Sequence, residues 1–485
     1  MAQKPTVAII GAGFSGVGMA IKLKQAGYDQ ITVFDKAPKV GGTWYWNTYP
    51  GCACDVPIQL YSYSFAPSGL WSHQYPRAPE IQAYIEKVVD DFAVRPLLRL
   101  NTEVKSASWN DSAKVWRLEL NDGTSHKANI LVSALGQLDI PKWPEIAGRN
   151  AFAGPSFHSA RWNWDVDLKG KRVAVIGNGG SAVQFIPEIT NDVAQLDVYQ
   201  RTPNYLVPRN DREVPMEERE RLANNPWLLK ASRELIYWRS DTLFWGVFKG
   251  SKWRVGLFEN AAKKLRDDQI ADPALRAKLT PDYPIGCKRI LICDTYYPAL
   301  QRPNVSLITD PIERIEQGAI VTNDATARPS DVIIYATGFD ASHFGWSVDI
   351  VGQGGAHLKD VWQDGPEAYL GVMTAGFPNF LMLYGPNTNL GHTSILYMVE
   401  RQIEYALKLL APMSETGASR LEVRADAQAR FNRLIQAELK ASPWATACNS
   451  WYKTETGKIT NNWPRSTQDY AKALKQVEWS HYAIA

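Results

Sequence analysis

Short apolar runs, each closed by glycine or proline, set the rhythm of this chain. Residues 5–10, PTVAII, form one such run, and a short, uncharged stretch rich in β-branched residues predicts a buried parallel strand. It enters GAGFSG and then GVGMAIKLKQAG, a helix, before ITVFD, a second strand ending at Asp35. ANILVSALG is the last early strand and gives way to a proline-rich crossing, DIPKWPEIAG. The pattern then restarts as KRVAVIG, GNGGSA, a helical stretch and the strand QLDVY. Residues 212–280 are different, charged and helical, and the helical pattern predicts a core place for Trp227, Trp238, Trp245 and Trp253. Further on, NFLMLYGPN reads as a strand followed by a helix from about Thr393 through Leu409. No short repeats or low-complexity segments interrupt this order.

The two restarts carry chemistry at matched positions. Gly11, Gly13 and Gly16 follow the first strand, and Gly177, Gly179 and Ala182 follow its counterpart. Glycines at such a turn let the backbone approach a pyrophosphate, while the helix N-terminus offers N–H groups and a positive dipole. Asp35 follows Gly11 by 24 positions, and Arg201 follows Gly177 by the same 24. A carboxylate there suits a ribose 2′-hydroxyl, whereas a guanidinium holds a 2′-phosphate. The first unit is therefore expected to bind FAD and the second NADPH. The fold class predicted is α/β, with two Rossmann-like dinucleotide-binding domains and a helical insertion in the NADPH domain. Expected boundaries are 1–140 with 335–485 for the FAD domain, 141–164 for an interdomain linker, and 165–334 for the NADPH domain, which contains the 212–280 insertion.

Composition narrows the class without adding chemistry. The chain has 485 residues, 45% hydrophobic and 21% charged, and a net charge of +3 spread without basic blocks, so no nucleic-acid partner is indicated. Five sparse cysteines fit a reducing compartment better than a disulfide scaffold. The uncharged stretch from Thr6 to Ile21 is too short to span a bilayer and carries four glycines, so no membrane anchor is expected and a cytoplasmic location is the default. No metal-ligand spacing stands out.

Two longer signatures bring a resemblance. GGTWYWNTYPGCACD (41–55) and FAGPSFHSARW (152–162) resemble the [AG]GxWxxxx[FY]P[GM]xxxD and FxGxxxHxxxW signatures of type I Baeyer–Villiger monooxygenases. The second is carried by Phe152, Gly154, His158 and Trp162; Asn163 departs from the proline or aspartate usual there. Trp162 favours this branch over relatives that oxidise nitrogen or sulfur. ATGFD (336–340) and GPNTNLGHTS (385–394) also resemble family segments. Trp44 stands where flavin disulfide reductases begin their redox pair, and Cys52 and Cys54 read as small buried residues. The resemblance implies that oxygen adds to reduced flavin, that the resulting peroxide attacks a ketone carbonyl, and that an ester or lactone forms. Ketones or sulfides and O2 are the expected small-molecule partners. Competing expectations are heteroatom oxygenation, an uncoupled NADPH oxidase, and a flavin-binding sensor or scaffold without turnover.

The same resemblance assigns residues. Arg289, in GCKRILICDTYYPALQRPNV, matches the arginine that supports the flavin peroxide, and Asp55 matches the acid that pairs with it. Such a preorganised charge is worth on the order of 3–4 kcal/mol. Gly42, Thr43, Trp44, Asp55, Lys36 and Asn387 join Gly11, Gly13, Gly16 and Asp35 as expected FAD contacts. Ser181, Ala182, Thr202, Lys288 and Arg289 join Gly177, Gly179 and Arg201 for NADP. Trp451 resembles a family tryptophan touching ribose and substrate, and the helix after GPNTNLGHTS is expected to point its N-terminus at the flavin. Phe152, Trp162 and Trp164 are expected to bury as anchors, Gly154 to supply unusual backbone geometry, and His158 to couple the domains through a hydrogen bond across their interface.

Overall fold

The computed structural model describes residues 4–341, 347–445, 452–454 and 456–485. The first apolar run becomes strand Val7–Ile10, buried at every position and parallel to Ile31–Phe34 on one side and Ile130–Ser133 on the other. Leu98–Arg99 and Phe380–Met382 extend this sheet at its two edges, again in parallel. Alternation along the strands divides the core. Val7, Ile9 and Val132 pack with helices Phe14–Gln25 and Ile395–Glu415, while Ala8, Ile10 and Leu131 pack with Trp116 and Phe377 under a small, largely antiparallel sheet.

The second sheet runs in the order Val305–Ile308, Gln195–Tyr199, Arg172–Ile176, Val332–Tyr335, Ser156–His158, all parallel. The expected linker is therefore partly a strand, because Ser156–His158 forms the sheet's edge and pairs His158 with Tyr335. The chain crosses between the sheets twice, and the two crossings hold each other. The Lys142 N–H donates to the Gly338 carbonyl at 2.9 Å, and the Asp340 N–H to that of Ile140 at 2.9 Å.

The insertion folds as helices Met216–Ala223, Pro226–Arg239, Trp245–Phe248, Lys252–Gln269 and Pro273–Lys278, with a π turn at Ser240–Phe244. The expected aromatic core fails at three positions. Trp227, Trp238 and Trp253 are 75%, 49% and 62% exposed. The two long helices bury only Leu229 with Tyr237 and Ala262 with Leu265, so each packs through a narrow stripe and leaves its tryptophans outside it. Trp245 alone of the four turns inward, its ring 5.2 Å from that of His392. Among the described residues no helix is long and apolar enough to cross a membrane.

Cys52, Cys54 and Cys293 are free and buried. Cys287 is disulfide-bonded. Cys448 lies outside the described residues.

Candidate active site

A groove of about 1720 Å3 is lined by both glycine turns. At the first, Gly11 has φ +109°, and a Cβ there would stand 2.4 Å from the Ala134 carbonyl oxygen. Gly16 does not line the groove; its Cβ would strike the Gly11 carbonyl, so its part is to let the helix close on the strand. Asp35 lines the groove with its carboxylate held by two backbone donors, Ala12 N–H at 2.6 Å and Ala37 N–H at 2.8 Å. Lys36 pairs with Asp139 at 2.6 Å, and Asp139 also takes Arg161 at 2.9 Å. Gly42, Thr43 and Trp44 line the same wall, with the Trp44 indole donating to the Tyr61 hydroxyl at 3.1 Å. The helix after GPNTNLGHTS starts two residues later than expected, at Ile395, and its first turn reaches the groove through Ile395 and Leu396.

The second turn repeats the first. Gly177 has φ +110° and a Cβ there would meet the Ala336 carbonyl oxygen at 2.4 Å, whereas Gly179 faces open space. Ser181 lines the groove and Ala182 is buried behind it. Arg201, Thr202 and Lys288 gather at this end, the Lys288 ammonium donating to Thr202 Oγ1 at 2.8 Å. Burial, and after it the charge of Arg201, pushes the Lys288 pKa below its ordinary value. Two cations left close together are a site that an anion would relieve.

Between the turns, Arg289 donates to Asp55. The arginine side chain keeps 43% of its surface open to the groove while protein surrounds it elsewhere. Asp55 raises the guanidinium pKa further, outweighing burial, and the Tyr452 and Tyr384 phenols add to it. Three residues absent from the sequence expectations shape this centre. The Gln184 amide brackets Ala53, accepting from its N–H at 3.2 Å and donating to its carbonyl at 3.1 Å, and it takes the Tyr49 hydroxyl at 3.0 Å. Arg209 donates to the carbonyls of Cys54 and Tyr75 at 3.3 and 3.0 Å. Tyr384 sits at φ +62°, a conformation uncommon for a bulky residue, with its hydroxyl 2.6 Å from Asn389 Oδ1. Nothing in local sequence spacing marks these residues: Gln184 and Arg209 act on partners far along the chain, and Tyr384 is distinguished by its backbone conformation.

Several expected contacts are not brought to the groove. Asn387 turns away from it and donates to the Ile459 and Asn462 carbonyls at 2.9 and 3.1 Å, because it bridges two loops of its own domain. Trp451 lies outside the described residues. The signature around His158 stands behind the groove wall. Trp162 packs between Phe157 and Phe185, each 5.2 Å away ring to ring, but Trp164 is 63% exposed, with its indole donating to Thr48 at 3.1 Å and its ring 6.1 Å from that of Trp162. Gly154 is needed for close approach and not for unusual φ, since a Cβ would meet the Asp331 carbonyl oxygen at 2.5 Å. His158 accepts at Nδ1 from Ala160 N–H at 3.1 Å, within its own segment, and its ring lies edge-on to Trp143 and Phe339, one from each crossing. Burial and then the Arg161 charge push its pKa down to about 4, so it is neutral near pH 7.

Cys52 and Cys54 form no disulfide, and burial pushes both thiols up, Cys52 to about 12. Among the described residues no group of three or more His, Cys, Asp or Glu side chains is arranged to hold a metal ion.

Comparison with known proteins agrees with this geometry. Residues 8–217 match the family described as pyridine nucleotide-disulphide oxidoreductase. A Baeyer–Villiger monooxygenase of Pseudomonas aeruginosa is 43% identical over 99% of this chain and 91% of its own length, and one of Streptomyces coelicolor is 41% identical over 99% and 92%. The crystal structure of OTEMO in complex with FAD and NADP superposes with a TM-score of 0.89 at 28% identity, covering 99% of this chain and all of that one. By its fold, its groove and its full-length likeness to these enzymes, the chain belongs to the Baeyer–Villiger monooxygenases.

Proposed function

We propose that this protein inserts one oxygen atom of O2 beside a ketone carbonyl to give an ester or lactone, with NADPH as reductant and FAD as the bound flavin. When bound, these groups supply the reducing electrons and the activation of oxygen. The residues present fit them. Gly11 and Gly13 open the first turn to a pyrophosphate, and Asp35 keeps acceptor capacity for a ribose. Arg201 and Lys288 offer two neighbouring cations to a 2′-phosphate.

The observation that carries the reading is Arg289, held by Asp55 at the meeting of both nucleotide turns. A guanidinium fixed there before reaction would stabilise negative charge developing on the substrate carbonyl oxygen without reorganising. Asp55 orients it; Gln184 and Arg209 hold the backbone from which Asp55 projects. The aromatic wall of Tyr61, Tyr384 and Trp44 limits water beside it.

A panel of ketones and one sulfide, followed by NADPH consumption and product mass, tests the reading. The Arg289→Ala variant is expected to let NADPH bleach the flavin while ester formation falls by about 10²–10³. Normal ester yield from that variant, or equal efficiency with NADH and NADPH in the wild type, would overturn these assignments.

A further inference from the structure

The helical insertion carries a buried carboxylate that has no part in the chemistry above. Asp241 lies in the π turn Ser240–Phe244 and is 6% exposed. Its Oδ1 accepts from His392 Nε2 at 3.2 Å, from the Thr467 N–H at 3.2 Å and from the Thr467 hydroxyl at 2.6 Å. The Tyr237 and Thr467 hydroxyls are 2.9 Å apart, which ties a second insertion residue to the same point. Three donors converging on one oxygen are what keeps a carboxylate charged out of water. Burial alone would raise the Asp241 pKa, but His392 and Thr467 outweigh it and hold the group below its ordinary value. π turns inside helices recur at functional positions.

The neighbours of this contact lead to the groove from two directions. His392 follows Asn389 and Leu390 and precedes Thr393, all three groove-lining. One helical turn beyond Asp241, the Trp245 ring is 5.2 Å from His392, and Phe248 lies so close to Gly391 that a Cβ there would be 2.5 Å away. Phe248 also stands against Gly286, where a Cβ would be at 3.6 Å, three residues before Arg289. One short stretch of the insertion thus touches both the root of the arginine segment and the loop on the facing wall.

We propose that Asp241 is a positioning residue: its carboxylate latches the insertion to His392 and Thr467, and so sets the spacing between Arg289 and the groove loop Asn389–Thr393. The inference rests on the role given to Arg289. When that spacing is right, NADPH, H⁺, O2 and ketone give NADP⁺, water and ester. When it is lost, the same two electrons reduce O2 to H2O2 and the ketone is left unchanged.

The test uses the FAD-loaded enzyme and measures ester and H2O2 formed per NADPH oxidised. Asp241→Ala is expected to be reduced by NADPH at the wild-type rate, while ester per NADPH falls about tenfold and H2O2 rises to match, the scale of one lost hydrogen bond to a charged group. Asp241→Asn keeps an oxygen for all three donors and is expected to stay coupled. A purely structural role would lower the melting temperature and leave the ester-to-peroxide ratio alone. Full coupling in a folded Asp241→Ala overturns the proposal, and so does equal loss in Asp241→Asn. If Asp241→Ala does not fold, Thr467→Val removes one donor from the same oxygen, and full coupling there overturns it equally. Arg289→Ala in parallel separates the two claims, since ester from that variant refutes the arginine's role, whereas full coupling in Asp241→Ala refutes the latch.

Discussion

His158 is 1% exposed and pressed between Trp143 and Phe339, and that surrounding decides its protonation. Its pKa is about 4 in the folded protein against an ordinary 6.5. Between those values the unfolded chain binds more protons than the native one, so stability rises with pH through the window and is lost as acid protonates the buried ring. The contribution is up to about 3 kcal/mol. Replacing His158 with Gln is expected to flatten that dependence, read as urea midpoints at pH 4.5 and 7 in both proteins. An unchanged slope would mean that other groups set the acid limit. The residue types of the signature were visible in sequence; the neutral state of His158 was not, because Trp143 and Phe339 reach it from distant segments.

At the scale of the element, two glycines of one motif differ in what they do. Gly177 has φ +110° and no room for a Cβ, whereas Gly179 has neither constraint. Gly177→Ala is expected to destabilise the protein by about 3 kcal/mol or more. Gly179→Ala is expected to fold within about 0.5 kcal/mol of wild type while raising KM for NADPH, since the methyl group would stand where the backbone meets the pyrophosphate. Melting curves and steady-state kinetics on the two variants separate the roles. The motif GNGGSA announced a nucleotide turn, but which glycine serves folding and which serves the ligand depends on Ala336, just past the end of strand Val332–Tyr335. The tryptophans of the insertion make the complementary point. Helical spacing marks the face a side chain shares with its neighbours, and whether that face is covered depends on which elements pack against it.

For the whole molecule, the proposed catalytic pair, Asp55 and Arg289, is joined by contacts between the two glycine-turn units. Asp55 belongs to the first and Arg289 to the second, and Gln184, on helix Ala182–Ile189, reaches across to bracket Ala53. Gln184→Ala is expected to cost about 1–3 kcal/mol by leaving the Ala53 backbone groups unpaired, and to reduce ester yield per NADPH more than NADPH oxidation itself. A thermal shift without a change in yield would confine Gln184 to stability.

The sequence by itself determined the two parallel sheets, the two glycine turns and the opposite charges of Asp35 and Arg201, because strand burial, turn geometry and offset are local along the chain. It also carried the signature that ends at Asp55 and the family-like segment that contains Arg289. Tertiary structure alone decided that Asn387 braces loops and does not face the groove, that Trp227, Trp238 and Trp253 stay in solvent, and that Gln184, Arg209 and Asp241 support the site from afar. The reason is physical. Covalent neighbours dictate backbone conformation, but burial, pKa and hydrogen-bond partners depend on which distant segments meet, and these segments meet only when both sheets and the insertion have packed.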